Sequence, residues 1–200
     1  MSRAQVQATV ALVMLLPALA ATPRRDPALD LQPESRLWVA GTSTVRAFQC
    51  QVGAFDAKIE STGADAVAAV LAGEKVVSTI EVTVPAEKLD CRNGTMNEHM
   101  RKALKAKEFP TIVFRAASYD LARTSDSVAI TLNGSLTLGG VEKPITVTAQ
   151  AKPGPDGTLV VFGTREVRMT EFGLKPPSLM LGTMKVDEKL TVGFEVVLKN

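Results

Sequence analysis

The sequence is poor in the residues on which most metal and catalytic sites depend. It has one histidine and two cysteines among 200 residues, so zinc sites with three histidines and iron sites with two are excluded. Acidic and basic residues nearly balance, at 21 and 23. Because no large basic excess is present to hold a polyphosphate backbone, nucleic acid is not an expected partner.

Hydrophobic runs of membrane-spanning length are also missing. The apolar run at residues 10–16 is well short of the about 20 residues that cross a bilayer, so no membrane span is expected. Arg3 precedes this run and the small-residue motif Ala18-Leu19-Ala20 follows it, which favours a secretory signal peptide over a buried first helix or a membrane anchor. We therefore predict a signal peptide at 1–20, a mature chain that begins near Ala21, and a periplasmic or secreted location.

The rest of the chain divides into a short segment and one domain. Residues 21–34 combine three prolines with several charges and no apolar period, which is typical of a flexible N-terminal segment. From 35 to 200, short alternations of apolar and polar residues predict strands with one buried face. The predicted strands are 36–42, 44–51, 53–61, 79–84, 111–119, 128–138 with a bend or bulge at Gly134, 143–152, 158–170 and 190–198.

Two stretches have helical rather than strand periodicity. Residues 63–73 place three apolar side chains on one face and end at a glycine. A second helix is predicted to begin at Thr95, because Thr95 and Glu98 have the spacing of a capping box. This helix places Met96, Met100 and Leu104 on one side and basic residues on the other.

These elements predict an all-β fold, an extended antiparallel β-barrel of about eight strands with two short helices. A two-sheet sandwich also fits the pattern, but a barrel is favoured because closure removes exposed strand edges. A barrel of this size is either filled by side chains or holds one small ligand. The helix residues Met96, Met100 and Leu104 would cover one end of the lumen. The inward rows predicted to line it are Ile80, Val82, Val84, Ile112, Phe114, Ile130, Leu132, Val192, Phe194 and Val196.

The two cysteines are expected to form a disulfide. Cys50 ends one predicted strand, and Cys91 follows another directly before the second helix. Paired cysteines are common in exported proteins, whereas the spacing from Cys91 to His99 is not usual for a metal site. His99 lies beside no nucleophilic serine, and the neighbouring carboxylates fall in turns or on polar strand positions. We therefore expect no catalytic residues, no metal and no enzyme activity.

Several sequence blocks together resemble one known family, the YceI-like family, over about residues 35–200. The Phe-Pro-x-Ile-x-Phe strand start followed by the Gly-Val-x-Lys-Pro turn is the most specific part of the likeness. The first block runs from Asn97-Glu98-His99-Met100 through Lys107-Glu108-Phe109-Pro110-Thr111-Ile112-Val113-Phe114. The second is Gly134-Ser135-Leu136-Thr137-Leu138-Gly139-Gly140-Val141-Glu142-Lys143-Pro144, and the third is Met169-Thr170-Glu171-Phe172-Gly173.

The resemblance implies a lipocalin-like barrel, exported to the periplasm, that binds a polyisoprenoid or an isoprenoid quinone lipid in its lumen. It implies no catalytic cofactor. Members of the family often carry a histidine in the first strand pair, where this chain has residues 41–48 without one. Arg46 is the nearest candidate to contact a ligand head group in its place, although it fits equally well as an outward charge on a strand.

The leading functional hypothesis is therefore an exported protein that binds an apolar small-molecule lipid. The alternative is a filled barrel or sandwich that acts through its surface as an interaction or stress-related accessory protein. The sequence leaves open the oligomeric state, including a homodimer, and the identity of the ligand.

Overall fold

A computed structural model describes residues 27–179 and 184–200; the signal peptide predicted at 1–20 lies outside the described residues. Twelve strands and two α-helices make up most of this part of the chain. The helices are α1 (Ala66–Leu71) and α2 (Gly94–Ala103). The strands are β1 (Asp30–Leu31), β2 (Arg36–Ser43), β3 (Ala47–Val52), β4 (Asp56–Ser61), β5 (Val77–Pro85), β6 (Leu89–Asp90), β7 (Thr111–Arg123), β8 (Val128–Leu138), β9 (Val141–Pro153), β10 (Leu159–Arg168), β11 (Ser178–Leu179) and β12 (Met184–Lys199).

All strands belong to one curled antiparallel sheet, which confirms the predicted all-β barrel class. The hydrogen-bonded order is β4-β5-β7-β8-β9-β10-β12-β2-β3-β6, with β1 and β11 paired to β12. This path has ten strands, more than the about eight expected. Its end strands, β4 and β6, are not paired with each other among the described residues, so the sheet curls around its core as a half-barrel. Residues 27–31 link β4 to β12 by hydrogen bonds.

The segment before β2 corrects one sequence-based expectation, because part of residues 21–34 is not a free tether. Leu29 is only 2% exposed, and its backbone N–H donates to the Ile59 carbonyl at 2.9 Å. On either side, Ala28 pairs with Glu60 of β4 and Asp30 pairs with Lys199 of β12. The apolar side chain of Leu29 fills the space between these strands, and its burial offsets the ordering of the segment.

The bend or bulge expected at Gly134 of β8 is present as a bulge, and its extra residue lies on the neighbouring strand β7. The β7–β8 register shifts between Ala116 and Ser118, so Ala117 is bulged opposite Gly134. A Cβ atom at Gly134 would collide with the Arg115 carbonyl oxygen. The glycine therefore permits the close approach that the bulge requires.

The hairpin between β8 and β9 joins two of the sequence blocks in space. Gly139 and Gly140 have φ angles of 57° and 81°, which a two-residue hairpin turn needs and which glycine adopts without steric cost. Gly140 lies directly against the ring of Phe109. The Gly-Gly turn and the Phe-Pro strand start thus form one contact.

Each end of the barrel has its own buried cluster and its own helix. Helix α1 is capped by Asp65 and buries Val67 and Val70, and it packs at the end that also holds Leu29 and Leu159. The opposite cluster contains Cys50, Leu89, Leu104, Leu138, Val167, Met169, Phe172 and Leu174. We call these the α1 end and the α2 end.

The helices are close to their predicted positions, with shifted boundaries. Helix α1 is shorter than the predicted 63–73. In α2 the cap is Asn93 rather than Thr95, because the Asn93 side chain accepts the Met96 N–H at 3.0 Å. Among the described residues, neither helix is long and apolar enough to cross a membrane.

Candidate ligand-binding cavity

The curled sheet encloses an apolar cavity of about 770 Å³. It extends between both buried clusters, from Leu29 and Leu159 at the α1 end to Leu104 and Leu138 at the α2 end. Pockets that hold small molecules usually measure about 300–1,000 Å³. The space is therefore large enough for a ligand of drug size or for a folded lipid chain.

The strand register explains why the wall is apolar. Side chains alternate between the two faces of a strand, and partners across a ladder share a face. Val82 lies opposite Phe114, and Phe194 lies opposite Leu37 on the far wall. Between the bulges, every second residue of these strands thus points inward, and most of these positions are aliphatic.

The structure brings together on this cavity all the lumen residues predicted from the sequence. They come from strands β5, β7, β8 and β12, from helix α2 and from the β2–β3 hairpin. The lining includes Ile80, Val82, Val84, Met96, Met100, Leu104, Ile112, Phe114, Ile130, Leu132, Val192, Phe194, Val196 and Arg46.

Helix α2 covers the cavity at its own end. Met96 and Met100 are half-buried and line the space, and Leu104 is buried beneath the helix. Unbranched methionine side chains adapt to contacts of varied shape. This face of α2 therefore suits a cover over a flexible apolar ligand.

The disulfide predicted between Cys50 and Cys91 is confirmed and attaches this cover to the wall. Cys50 is fully buried on the inner face of β3, and Cys91 stands just before α2. The Cys91 Sγ lies 3.7 Å from the Met100 Sδ. Cys91 is therefore bonded to the wall through Cys50 and also contacts Met100 of helix α2.

A polar network fixes the chain that leads into α2. The Asn97 side chain accepts the Cys91 N–H at 2.8 Å and donates to Asp90 Oδ1 at 2.7 Å. Asp90 Oδ1 also accepts the Arg92 N–H at 2.9 Å. The hydrogen bond from Asn97, followed by that from the Arg92 backbone, lowers the pKa of Asp90 below its ordinary value.

The β2–β3 hairpin and the start of β12 form a polar rim around one side of the cavity. The Arg46 N–H donates to the Ser43 hydroxyl at 3.1 Å, and that hydroxyl donates to the Arg46 carbonyl at 2.8 Å. Thr44, which follows Ser43 in the chain, donates its N–H to the Lys185 carbonyl at 3.0 Å. These bonds place Arg46 and Lys185 on neighbouring rim segments, and both line the cavity.

The cavity is also lined by residues of β2, β3, β4, β9 and β10 that were not predicted from the sequence, and the charged one on β10 is Arg165. It lies opposite Val192 and has the same parity as the lining residues Val161 and Val167. The signal was present in the sequence, because Arg165 is in phase with the apolar residues of its strand. No residue of β10, whether apolar or charged, was among the lumen residues predicted from the sequence.

Most of the side chains that line the cavity are apolar. In the part of the chain that the structure describes, no group of three His, Cys, Asp or Glu residues is placed to hold a metal ion. His99 lines the cavity on the same helix as Met96 and Met100. The carboxylates of Glu166 and Glu188 lie within ion-pair distance of Arg168, at 3.8 and 3.9 Å.

Comparison with known sequences identifies one family. The model of the YceI-like domain matches residues 33–198. A UPF0312 protein of Shewanella baltica (strain OS185) is 31% identical over 111 residues, which are 52% of this chain and 56% of that protein. A UPF0312 protein of strain OS195 matches to the same extent. The chain thus spans a little over half the length of these curated relatives.

Solved structures with similar folds have much lower sequence identity. BcnA of Burkholderia cenocepacia has a TM-score of 0.64 at 15% identity, covering 84% of this chain and 99% of that one. A polyisoprenoid binding domain from Saccharophagus degradans, implicated in plant cell wall breakdown, has a TM-score of 0.61 at 11% identity, covering 86% and 97%. The YceI protein of Campylobacter jejuni has a TM-score of 0.57 at 18% identity, covering 76% and 84%. These likenesses agree in fold with the match of the family model, and the chain belongs to the YceI-like family.

Proposed function

We propose that this protein is an exported carrier that holds a polyisoprenoid, an isoprenoid quinone or a similar long apolar lipid in the lumen of its barrel. The observation that carries the proposal is the cavity of about 770 Å³ with an almost wholly apolar wall. The name of the Saccharophagus degradans neighbour, a polyisoprenoid binding domain, agrees with a ligand of this class.

The state of the wall residues argues against a filled core. Ile80, Val82 and Phe114 point inward from the middle of their strands, yet each is only half-buried and borders the cavity. A side chain in a filled barrel would be in contact on all sides, because protein interiors are close-packed. This favours the lipid-binding hypothesis over the alternative of a filled barrel that acts through its surface.

Burial of an isoprenoid tail supplies enough free energy for tight binding. An isoprene unit has five carbons, and each buried CH₂ contributes about 0.8 kcal/mol. One unit therefore contributes up to about 4 kcal/mol before the cost of ordering the chain. A few units inside the lumen suffice, and the length of the cavity would limit how many are buried.

The disulfide supports the export part of the proposal. Such bonds persist in oxidising compartments and are rare in the cytosol. A periplasmic or secreted protein with an apolar lumen would carry a lipid through water. In this proposal the protein binds the lipid as a ligand, without catalysis and without a cofactor.

The proposal is tested by the lipid content of protein purified from the extracytoplasmic fraction without detergent. Organic extraction and mass spectrometry should recover a long-chain lipid from the wild type. Val192→Trp should fill the lumen and yield no lipid. Thr191→Trp, whose side chain lies on the outer face, is the matched control and should yield as much lipid as the wild type. A lipid found equally in both variants, or in neither variant nor the wild type, would contradict binding in the lumen.

A further inference from the structure

The fully charged side chains on the cavity all have the same sign. Among the described residues that line it, Arg46, Arg165 and Lys185 carry full positive charge, and none is Asp or Glu. The chain as a whole has almost equal numbers of acidic and basic residues. All three residues are exposed to solvent, which hydrates their charges, and their shared sign would favour an anionic group on a ligand that enters the cavity.

Arg165 shows the pattern most clearly. Its side chain lies on the inner face of β10, in the row that includes Leu159, Val161 and Val167. Across the ladders its neighbours are Val192 on β12 and then Val39 on β2. Among the described residues, Arg165 belongs to none of the ion pairs.

The outer face of the same strand is balanced in charge. Glu166 lies 3.8 Å from the Arg168 Nε and 3.9 Å from the Lys189 Nζ. Arg168 also lies 3.9 Å from Glu188. Acidic residues near Arg165 in sequence are therefore engaged with cations outside the barrel and do not neutralise the inner arginine.

The other two positively charged residues lie at the rim, where hydrogen bonds fix the backbone beside them. Thr44 exchanges two hydrogen bonds with Lys185, at 3.0 Å to its carbonyl and 3.2 Å from its N–H. Arg46 follows in the same hairpin and shares the face of Phe48, which lines the wall. The polar end of a ligand whose tail lies in the lumen would therefore meet a positive charge either at Arg165 on the wall or at this rim.

We propose that the bound lipid is a single apolar chain with an anionic head group, a phosphate or a carboxylate, which Arg165 binds while Arg46 and Lys185 add positive charge at the rim. The inference rests on the proposed function, because the lumen must hold the tail. The planar guanidinium of arginine donates two parallel hydrogen bonds to the oxygens of either head group.

Matched lipid pairs test the head group separately from the tail. The full mature protein, stripped of lipid, is titrated with geranylgeranyl phosphate and geranylgeraniol, and with palmitate and hexadecanol, all below their micellar concentrations. We expect at least one anionic member to bind about tenfold more tightly than its alcohol, which is 1.4 kcal/mol. Added salt should reduce the preference, and the better anion identifies phosphate or carboxylate as the favoured head group.

Variants of one strand assign the preference to a residue. Arg165→Gln should bring the Kd for the anion close to that for the alcohol while the Kd for the alcohol stays within about twofold of wild type. Arg168→Gln is the matched control, three residues along β10 on the outer face, and should keep the full preference. Arg46→Gln should lower the preference in part.

Three results would overturn the inference and leave the proposed lipid binding standing. If the wild type binds the alcohol and the anion with equal affinity in both pairs, the protein binds lipid but does not recognise an anionic head group. Displacement of geranylgeranyl phosphate by an equimolar amount of inorganic phosphate would show a site for free anions instead. A preference that persists in both Arg165→Gln and Arg46→Gln would contradict the assigned residues. If none of the four lipids binds, the proposed function fails as well.

Discussion

Cys50, on the inner face of β3, is disulfide-bonded to Cys91, which stands three residues before helix α2. The bond therefore joins the wall of the cavity to the segment that positions its cover. It spans 41 residues of sequence, and closing a loop of that size is worth about 4 kcal/mol in the chain-entropy model. One covalent link thus contributes to both the stability of the fold and the placement of α2.

Replacing both cysteines by serine should lower the free energy of unfolding by about 2–4 kcal/mol. The loss arises mainly from the greater freedom of the unfolded chain. Urea denaturation of wild type and double variant measures the difference. Thiol labelling of denatured wild-type protein from an oxidising compartment checks the premise, since two reactive thiols per chain would mean that the bond is absent.

Asp90 should make the stability of the α2 entry depend on pH. Its pKa is lowered in the folded state, by the hydrogen bond from Asn97 first and that from the Arg92 backbone second. The contribution of Asp90 is therefore present above its unfolded pKa and is lost as the pH falls through its lower, folded pKa. Wild type should be more stable than Asp90→Ala at pH 7, and the difference should vanish in strong acid.

Urea denaturation of both proteins across that pH range provides the measurement. Asn97→Ala serves as the second variant, because removal of the Asn97 donor should return the pKa of Asp90 towards its ordinary value. A gap between wild type and Asp90→Ala that is constant with pH would show that the ionised carboxylate contributes nothing.

A tryptophan in the lumen wall should block lipid uptake without unfolding the protein. Val82 borders the cavity, so Val82→Trp adds bulk to open space, whereas the neighbouring Thr83 lies on the outer face and is absent from the lining. Thermal melts with and without added polyisoprenoid should show a ligand-induced rise for wild type and Thr83→Trp but none for Val82→Trp. A strongly destabilised Val82→Trp, by about 1–3 kcal/mol, would instead indicate an overpacked, filled core.

Export should remove the first 20 residues. Small residues occupy the positions one and three before the proposed cut, at Ala20 and Ala18. N-terminal sequencing of protein from the extracytoplasmic fraction should therefore begin at or near Ala21. Retention of Met1 in that fraction would contradict the signal peptide.

Much of the wall could be predicted from the sequence because strand alternation is local. The polar residues Glu81 and Thr83 separate Ile80, Val82 and Val84. Such an alternation identifies the buried face without knowledge of the partner strands. The alternation fails where a bulge changes the parity. On β7, Phe114 lines the cavity before the bulge at Ala117, and Tyr119 and Leu121 line it afterwards.

Other features depend on contacts between distant segments and carried no local signal. The pairing of Asp30 with Lys199 orders a segment that composition alone assigns to a tether. The number of strands in the sheet follows from the global path, and so does the lack of direct pairing between β4 and β6 among the described residues. The cap of α2 was misplaced because both Asn93 and Thr95 are good capping residues, and only the observed bond to Met96 distinguishes them.

The most direct test of the central claim is calorimetric titration of lipid-free protein with a long-chain polyisoprenoid at several temperatures. We expect saturation at one lipid per chain and a negative heat-capacity change of binding, which is the mark of apolar surface leaving water. Val192→Trp should abolish both. A lack of saturable binding by wild type, or binding that Val192→Trp leaves unchanged, would contradict a lipid held in the lumen.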